Sequence, residues 1–185
     1  YDCVIATGNQ FSANQFKKYF DSIPNIIRSS RFSVAILDGN EKKEDLQKLS
    51  NDIFMYYGLG CRSVSKIYLP KDYDLDILFK QVYSWKDIIN NSSYYNNYTY
   101  NKTIYLMSEE KFFDNGFLIL KESTEIGSPI GAVFFEYYEN DNTVIKSLKK
   151  YSEKIQCIVG KNIVENSIEF GNTQRPSLDD FADKI

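Results

Sequence analysis

Residues 46–70 read LQKLSNDIFMYYGLGCRSVSKIYLP. Leu46, Leu49, Ile53, Phe54 and Tyr57 recur at i, i+3 and i+4 spacing, which lays them along one face of an amphipathic helix. The apolar run through Ile67, Tyr68 and Leu69 then reads as a strand over about 65–69. Between helix and strand stands Gly58-Leu59-Gly60-Cys61-Arg62. Glycines at such a junction allow positive φ and close approach of backbone to a ligand, so a thiol there sits at a turn whose amides can bind an anion. Arg62 or Lys66 could steady the thiolate without any imidazole. The residues alone leave two readings of Cys61 open, a nucleophile or a small apolar side chain filling a turn.

Outward from this stretch the same alternation of short apolar runs and amphipathic segments continues, the pattern of an α/β domain. Strands are expected near 2–6, 33–38, 65–69, 116–121, 131–137 and 155–159. Phe11, Phe16, Tyr19 and Phe20 lie on one helical face, and further helices are expected from about Leu75 to Ile89 and from about Asn142 to Tyr151. Strand, crossover helix and strand in succession imply a largely parallel sheet flanked by helices. The biased stretch from Asn90 to Asn101 reads as a polar loop leading into a helix, and its glycosylation-like tripeptides as accidents of Asn and Ser content.

Composition narrows the function. The 185 residues are 43% hydrophobic, enough for a sizeable core, and 22 Lys and Arg are scattered among 25 Asp and Glu for a net charge of −3. Without a basic stripe, nucleic acid is a poor partner, and no apolar run reaches the ~18 residues of a membrane span. A cytoplasmic protein is expected. Cys3, Cys61 and Cys157 are three widely spaced thiols, which suits neither a disulfide framework nor a zinc site, and Cys3 and Cys157 read as buried within apolar strands. The chain has no histidine, so no metal site is expected and Cys-His and Ser-His pairs are excluded. Tyr1 stands where a start methionine would, and the chain is read as a piece of a longer protein.

The run Gly58 to Ser65, with Cys61 at its centre and Lys66 after it, resembles the catalytic-cysteine motif of the aldehyde dehydrogenase superfamily. Asp52-Ile53-Phe54, Tyr57 to Arg62 and Val64-Ser65-Lys66 are more closely similar to the acyl-CoA reductase family, the LuxC-type fatty acyl-CoA reductases. Ile5-Ala6-Thr7-Gly8-Asn9 resembles the superfamily's Thr-Gly-Ser turn, and Glu125-Ile126-Gly127-Ser128-Pro129 its Glu-Ile-Phe-Gly-Pro segment. Phe170-Gly171 looks like the segment that closes the site, and Gln174-Arg175-Pro176 with Phe181-Ala182-Asp183 is similar to the reductase tail.

The resemblance implies an aldehyde-dehydrogenase-like catalytic domain with Cys61 as the acyl-accepting nucleophile. It implies Thr7, Gly8 and Asn9 at the cofactor diphosphate and Glu125 at the nicotinamide ribose. Residues 1–30 would end the dinucleotide-binding half, 31–170 form the cysteine domain and 171–185 a C-terminal tail, the oxyanion asparagine and first dinucleotide-binding strands lying upstream. Arg28 stands where the superfamily's general-base glutamate is expected, and Gly127 where it usually has Phe. Loss of that base spares an acyl-enzyme from water, so the implied reaction is NADPH-dependent reduction of long-chain acyl-CoA to aldehyde. Self-association into a homo-oligomer is implied too, and the chain by itself is expected to be inactive. Two rivals stay open, an acyl-cysteine transferase or thioesterase and a non-catalytic oligomerisation module.

Overall fold

In the computed structural model, residues 1–160, 164 and 167–178 are described. The chain divides into two compact units, Tyr1–Arg31 and Phe32–Ile185.

The first unit is a strand β1 (Val4–Thr7), a helix α1 (Gln10–Phe20) and a strand β2 (Asn25–Arg28). β1 and β2 pair in parallel from Val4↔Asn25 to Thr7↔Arg28. Asn9 caps α1, its side-chain oxygen accepting the Ser12 N–H at 2.8 Å, which satisfies one of the orphan donors of a helix start. Ala13 is the buried residue of this helix, with Phe16 and Phe20 half-buried, whereas Phe11 and Tyr19 are exposed and do not join one covered face. β2 escaped the sequence reading because its apolar content is only Ile26-Ile27, between Asn25 and Arg28. Cys3 precedes β1 and is exposed, a correction to its expected place inside a buried strand.

The second unit runs β3 (Phe32–Ile36), α2 (Lys43–Phe54), β4 (Val64–Pro70), α3 (Leu75–Val82), α4 (Ser92–Met107), β5 (Phe113–Asp114), β6 (Ile119–Glu122), β7 (Ala132–Tyr138), α5 (Asp141–Lys150) and β8 (Ile155–Gly160). Its six strands lie in the order β5-β6-β7-β4-β3-β8. All neighbours are parallel except the short β5, antiparallel to β6. This is the α/β class with a mostly parallel sheet flanked by helices.

Because side chains alternate along a strand, the sheet feeds two cores. Ala35, Leu37, Ile67 and Leu69 face Leu46, Leu49 and Ile53 of α2, Leu78 of α3 and Tyr94 of α4. Val34, Ile36 and Tyr68 join Val144 and Leu148 of α5 in the second cluster. A near-continuous apolar β3 and β4 is what a strand covered on both faces requires.

Two helical segments differ from expectation. The helix begun at Leu75 tightens at Tyr83 into a 3₁₀ stretch to Asn90, where the Trp85 ring stacks on Phe54 with centroids 5.7 Å apart and its N–H donates to Asn51. The expected polar loop after Asn90 is helical from Ser92 onward, as α4. Tyrosine, half apolar and half polar, hides its periodicity, yet Tyr94, Tyr98 and Tyr105 are buried while Asn96, Asn97, Thr99 and Thr103 face outward. No helix among the described residues is long and apolar enough to cross a membrane.

Candidate active site

α2 ends at Phe54, three residues earlier than the periodicity predicts. Tyr56, Tyr57 and Gly58 then take φ of 54°, 60° and 73°, three successive residues in the left-handed region. Only Gly58 adopts it freely; each tyrosine there costs roughly 1 kcal/mol or more. The reversal turns the chain out of the helix and delivers Gly60-Cys61 to the start of β4. There the Ser63 N–H donates to the Gly60 carbonyl at 2.9 Å, closing a tight turn with Cys61 inside it.

The Cys61 thiol is free and exposed at this turn. Its own carbonyl is held from the sheet by the fully buried Ser33, whose hydroxyl donates at 2.9 Å. Arg62 Nε donates to the Thr173 carbonyl at 2.5 Å, and Gln174 Nε2 reaches the Ser63 hydroxyl at 3.4 Å. Lys66 serves another purpose than the thiolate partner the sequence allowed. It is fully buried, with its ammonium 2.5 Å from Glu136 Oε2 and 3.0 Å from the Ser123 carbonyl. A buried cation needs such partners, and β4 and β7, paired at Tyr68↔Glu136, supply the carboxylate.

Beside the turn opens a cleft of about 720 Å³, lined by Phe54, Met55, Tyr56, Tyr57, Trp85 and Asp87 among others. Its lining is largely aromatic and apolar, and it starts on the left-handed residues that precede Cys61.

Glu125 is exposed, at the end of a loop that Lys66 anchors through Ser123. Its backbone N–H donates to the Ser123 hydroxyl at 3.1 Å, and the next residue, Ile126, is buried. The loop is therefore fixed while the carboxylate stays available. At Gly127 a Cβ would fall 2.2 Å from the Phe32 ring, so that ring fills the space a side chain at 127 would need.

In the first unit, Thr7, Gly8 and Asn9 form the end of β1 and the start of α1. The Gly8 N–H donates to the Arg28 carbonyl at 3.1 Å, and a Cβ on Gly8 would lie 2.7 Å from Ser12 Cβ, so glycine is required for the strand to enter the helix this closely. Phe170 is buried and Gly171 takes a φ of +87°. Phe181, Ala182 and Asp183 lie outside the described residues. Cys157 is buried in β8. Among the described residues no group of three or more His, Cys, Asp or Glu is placed to hold a metal ion. Ser33 and Thr173 entered the site without a sequence signal, being small hydroxyl residues remote from Cys61 in the chain.

No family model matches this sequence, and no curated protein matches it. Solved structures match by shape. The P. syringae indole-3-acetaldehyde dehydrogenase, solved with NAD+ and IAA, superposes with a TM-score of 0.64 at 8% identity over 86% of this chain and 40% of its own. The Pseudomonas aeruginosa aldehyde dehydrogenase KauB gives 0.64 at 11% identity over 86% and 40%, and the substrate-bound Staphylococcus aureus AldH gives 0.61 at 12% over 95% and 43%. The chain thus has an aldehyde-dehydrogenase-like fold and spans about two fifths of the length of these structures.

Proposed function

We propose that this chain is the cysteine-bearing portion of a nicotinamide-dependent oxidoreductase of the aldehyde dehydrogenase superfamily, and that the full-length enzyme reduces acyl-CoA to aldehyde in the manner of the LuxC-type reductases. The observation that carries the reading is the exposed, free Cys61 held at a glycine-rich turn in front of β4 in a fold of this kind. In this reading the turn, tied to Ser33 through the Cys61 carbonyl and to Thr173 through Arg62, presents the exposed thiol to a substrate.

In this reading the Cys61 thiolate attacks the thioester carbonyl of acyl-CoA. A carbon–sulfur bond forms to Cys61, the bond to CoA breaks and CoA leaves as its thiolate. The Cys61 backbone N–H donates to the oxyanion that develops. The exposed Glu125 carboxylate fits the paired hydroxyls of a ribose, and in the first unit the start of α1, entered through Thr7, Gly8 and Asn9, suits a diphosphate. When bound, a reduced nicotinamide, NADPH in this proposal, would supply the hydride that reduces the thioester on Cys61 to a thiohemiacetal anion, and would itself be oxidised to NADP+. Collapse of that adduct expels the aldehyde and restores the thiolate. Arg28 closes β2 at the position where the resemblance to the superfamily expects a general-base glutamate, and a guanidinium does not activate water, a replacement in keeping with reduction of the thioester rather than its hydrolysis. The apolar cleft that begins at Tyr56 and Tyr57 offers room for an acyl chain.

The test is incubation of the full-length protein with decanoyl-CoA and NADPH. Aldehyde formation with equal NADPH oxidation is expected, and Cys61→Ala should lower it by at least about 10³-fold and abolish acyl labelling. Free acid released without NADPH consumption would point to a thioesterase instead. Acyl label retained in Cys61→Ala would remove the assignment of the nucleophile.

A further inference from the structure

Nine residues before Cys61, Asp52 lies at the end of α2 with 1% of its surface exposed. Its carboxylate accepts from three donors: the Gly171 N–H at 2.6 Å, the Thr173 N–H at 3.1 Å and the Thr173 hydroxyl at 2.8 Å. Thr173 is itself fully buried. The same turn reaches on to the cysteine, since the Thr173 carbonyl accepts Arg62 Nε at 2.5 Å and Gln174 Nε2 meets Ser63 at 3.4 Å. Thr173 therefore has its donors on Asp52 and its acceptor on the residue after Cys61.

The need for such a clasp follows from the end of α2. Tyr56, Tyr57 and Gly58 are left-handed, so no helical ladder carries rigidity from Phe54 to Cys61. Ser33 fixes the turn on the sheet side through the Cys61 carbonyl. The opposite side has to be fixed by something other than secondary structure, and bonds to a buried carboxylate are among the strongest available. Burial pushes the Asp52 carboxyl above its ordinary value while the donors from Gly171 and Thr173 pull it back, as expected for a carboxylate that the fold encloses and then satisfies.

We infer that Asp52, acting through Thr173 and Arg62, is a positioning residue that holds the Cys61 turn in the geometry needed for acyl transfer. This inference rests on the reading of Cys61 as the acyl-accepting nucleophile. Asp52 touches neither substrate nor thiol; it sets where the thiol stands.

The three cysteines provide the controls for the test. Cys3 is exposed in the first unit, Cys61 is exposed at the turn, and Cys157 is buried and reacts only when the second unit opens. Full-length wild type, Asp52→Asn and Thr173→Val are compared for decanoyl transfer to Cys61, for iodoacetamide alkylation of each cysteine, and for amide hydrogen exchange over residues 60–63. In both variants acyl transfer should fall about 10- to 100-fold, because a misplaced nucleophile loses its approach to the carbonyl. Alkylation of Cys61 relative to Cys3 should stay within about twofold, since it requires only an accessible thiol. Cys157 should remain protected, and exchange over 60–63 should accelerate about tenfold. Unchanged exchange or unchanged acyl transfer in both variants overturns the proposal. So does labelling of Cys157 as fast as Cys3 in both, which would make the cluster a folding element alone. If wild type accepts no acyl group at Cys61, the catalytic reading falls, and the exchange result by itself upholds or overturns the clasp.

Discussion

A methyl group at position 127 would sit 2.2 Å from the Phe32 ring, closer than two non-bonded carbons approach. Gly127→Ala should therefore destabilise the protein by about 1–3 kcal/mol, the range for overpacking, and Phe32→Ala added to it should recover part of that loss. Denaturant midpoints of the two single variants and the double variant check this, and strict additivity would mean the ring and the glycine do not share a space. At the same scale Lys66 shows where reading from sequence stops. A lysine between Ser65 and Ile67 reads as a partner for the nearby thiol, and nothing local announces that Glu136, 70 positions on, will neutralise it inside the sheet. The place of Cys61 between a helix and a strand was legible because the apolar period and the glycines are local features; its contacts through Ser33 and Thr173 were not, because they exist only after folding.

Among the helices, α4 was the least legible and is tied down by polar atoms of its buried tyrosines. The Tyr94 hydroxyl donates to the Phe117 carbonyl at 2.9 Å, and the Tyr98 hydroxyl donates to Asp114 in β5 at 2.7 Å. Lys102, one turn on, forms an ion pair with the same carboxylate. Burial alone would raise the Asp114 carboxyl, but bonds from Lys102, Tyr98 and the Gly116 N–H outweigh it and hold it below the ordinary value, while Tyr98 is pushed up to about 12 by burial and by Asp114. A carboxyl held low in the folded state contributes stability that is present above its unfolded value and is lost as pH falls through its folded value. Wild type should accordingly be more stable than Asp114→Asn by about 1–2 kcal/mol near neutral pH, and the gap should narrow towards about pH 3. Urea midpoints at the two pH values test this, and a gap independent of pH would show that Asp114 does not act through its charge. The alternating strands and the helices of α2, α3 and α5 were readable because each pairs an apolar period with a polar face, whereas β5 with two residues was too short to carry a period.

For the molecule as a whole, the two units differ in how much they bury. In the first, Ala13 is the one residue counted as buried, whereas the second packs helices on both faces of its sheet. Backbone amides of β1 and β2 should exchange with solvent at least about tenfold faster than those of β3, β4 and β7, since opening free energy follows buried apolar contact. Equal protection in the isolated chain would show that the first unit is stabilised by something other than its own core. The α/β class was readable from the alternation of elements, and the order β5-β6-β7-β4-β3-β8 was not, because strand neighbours are chosen by packing across the chain rather than along it. The bond from Arg62 to Thr173 spans 111 residues, and the one from Asp52 to Thr173 spans 121. During synthesis, then, a ribosome must translate roughly 110 residues beyond the cysteine codon before the turn can be fastened, and until Thr173 emerges the nascent chain carries its thiol on an open loop, within reach of oxidants and of other thiols.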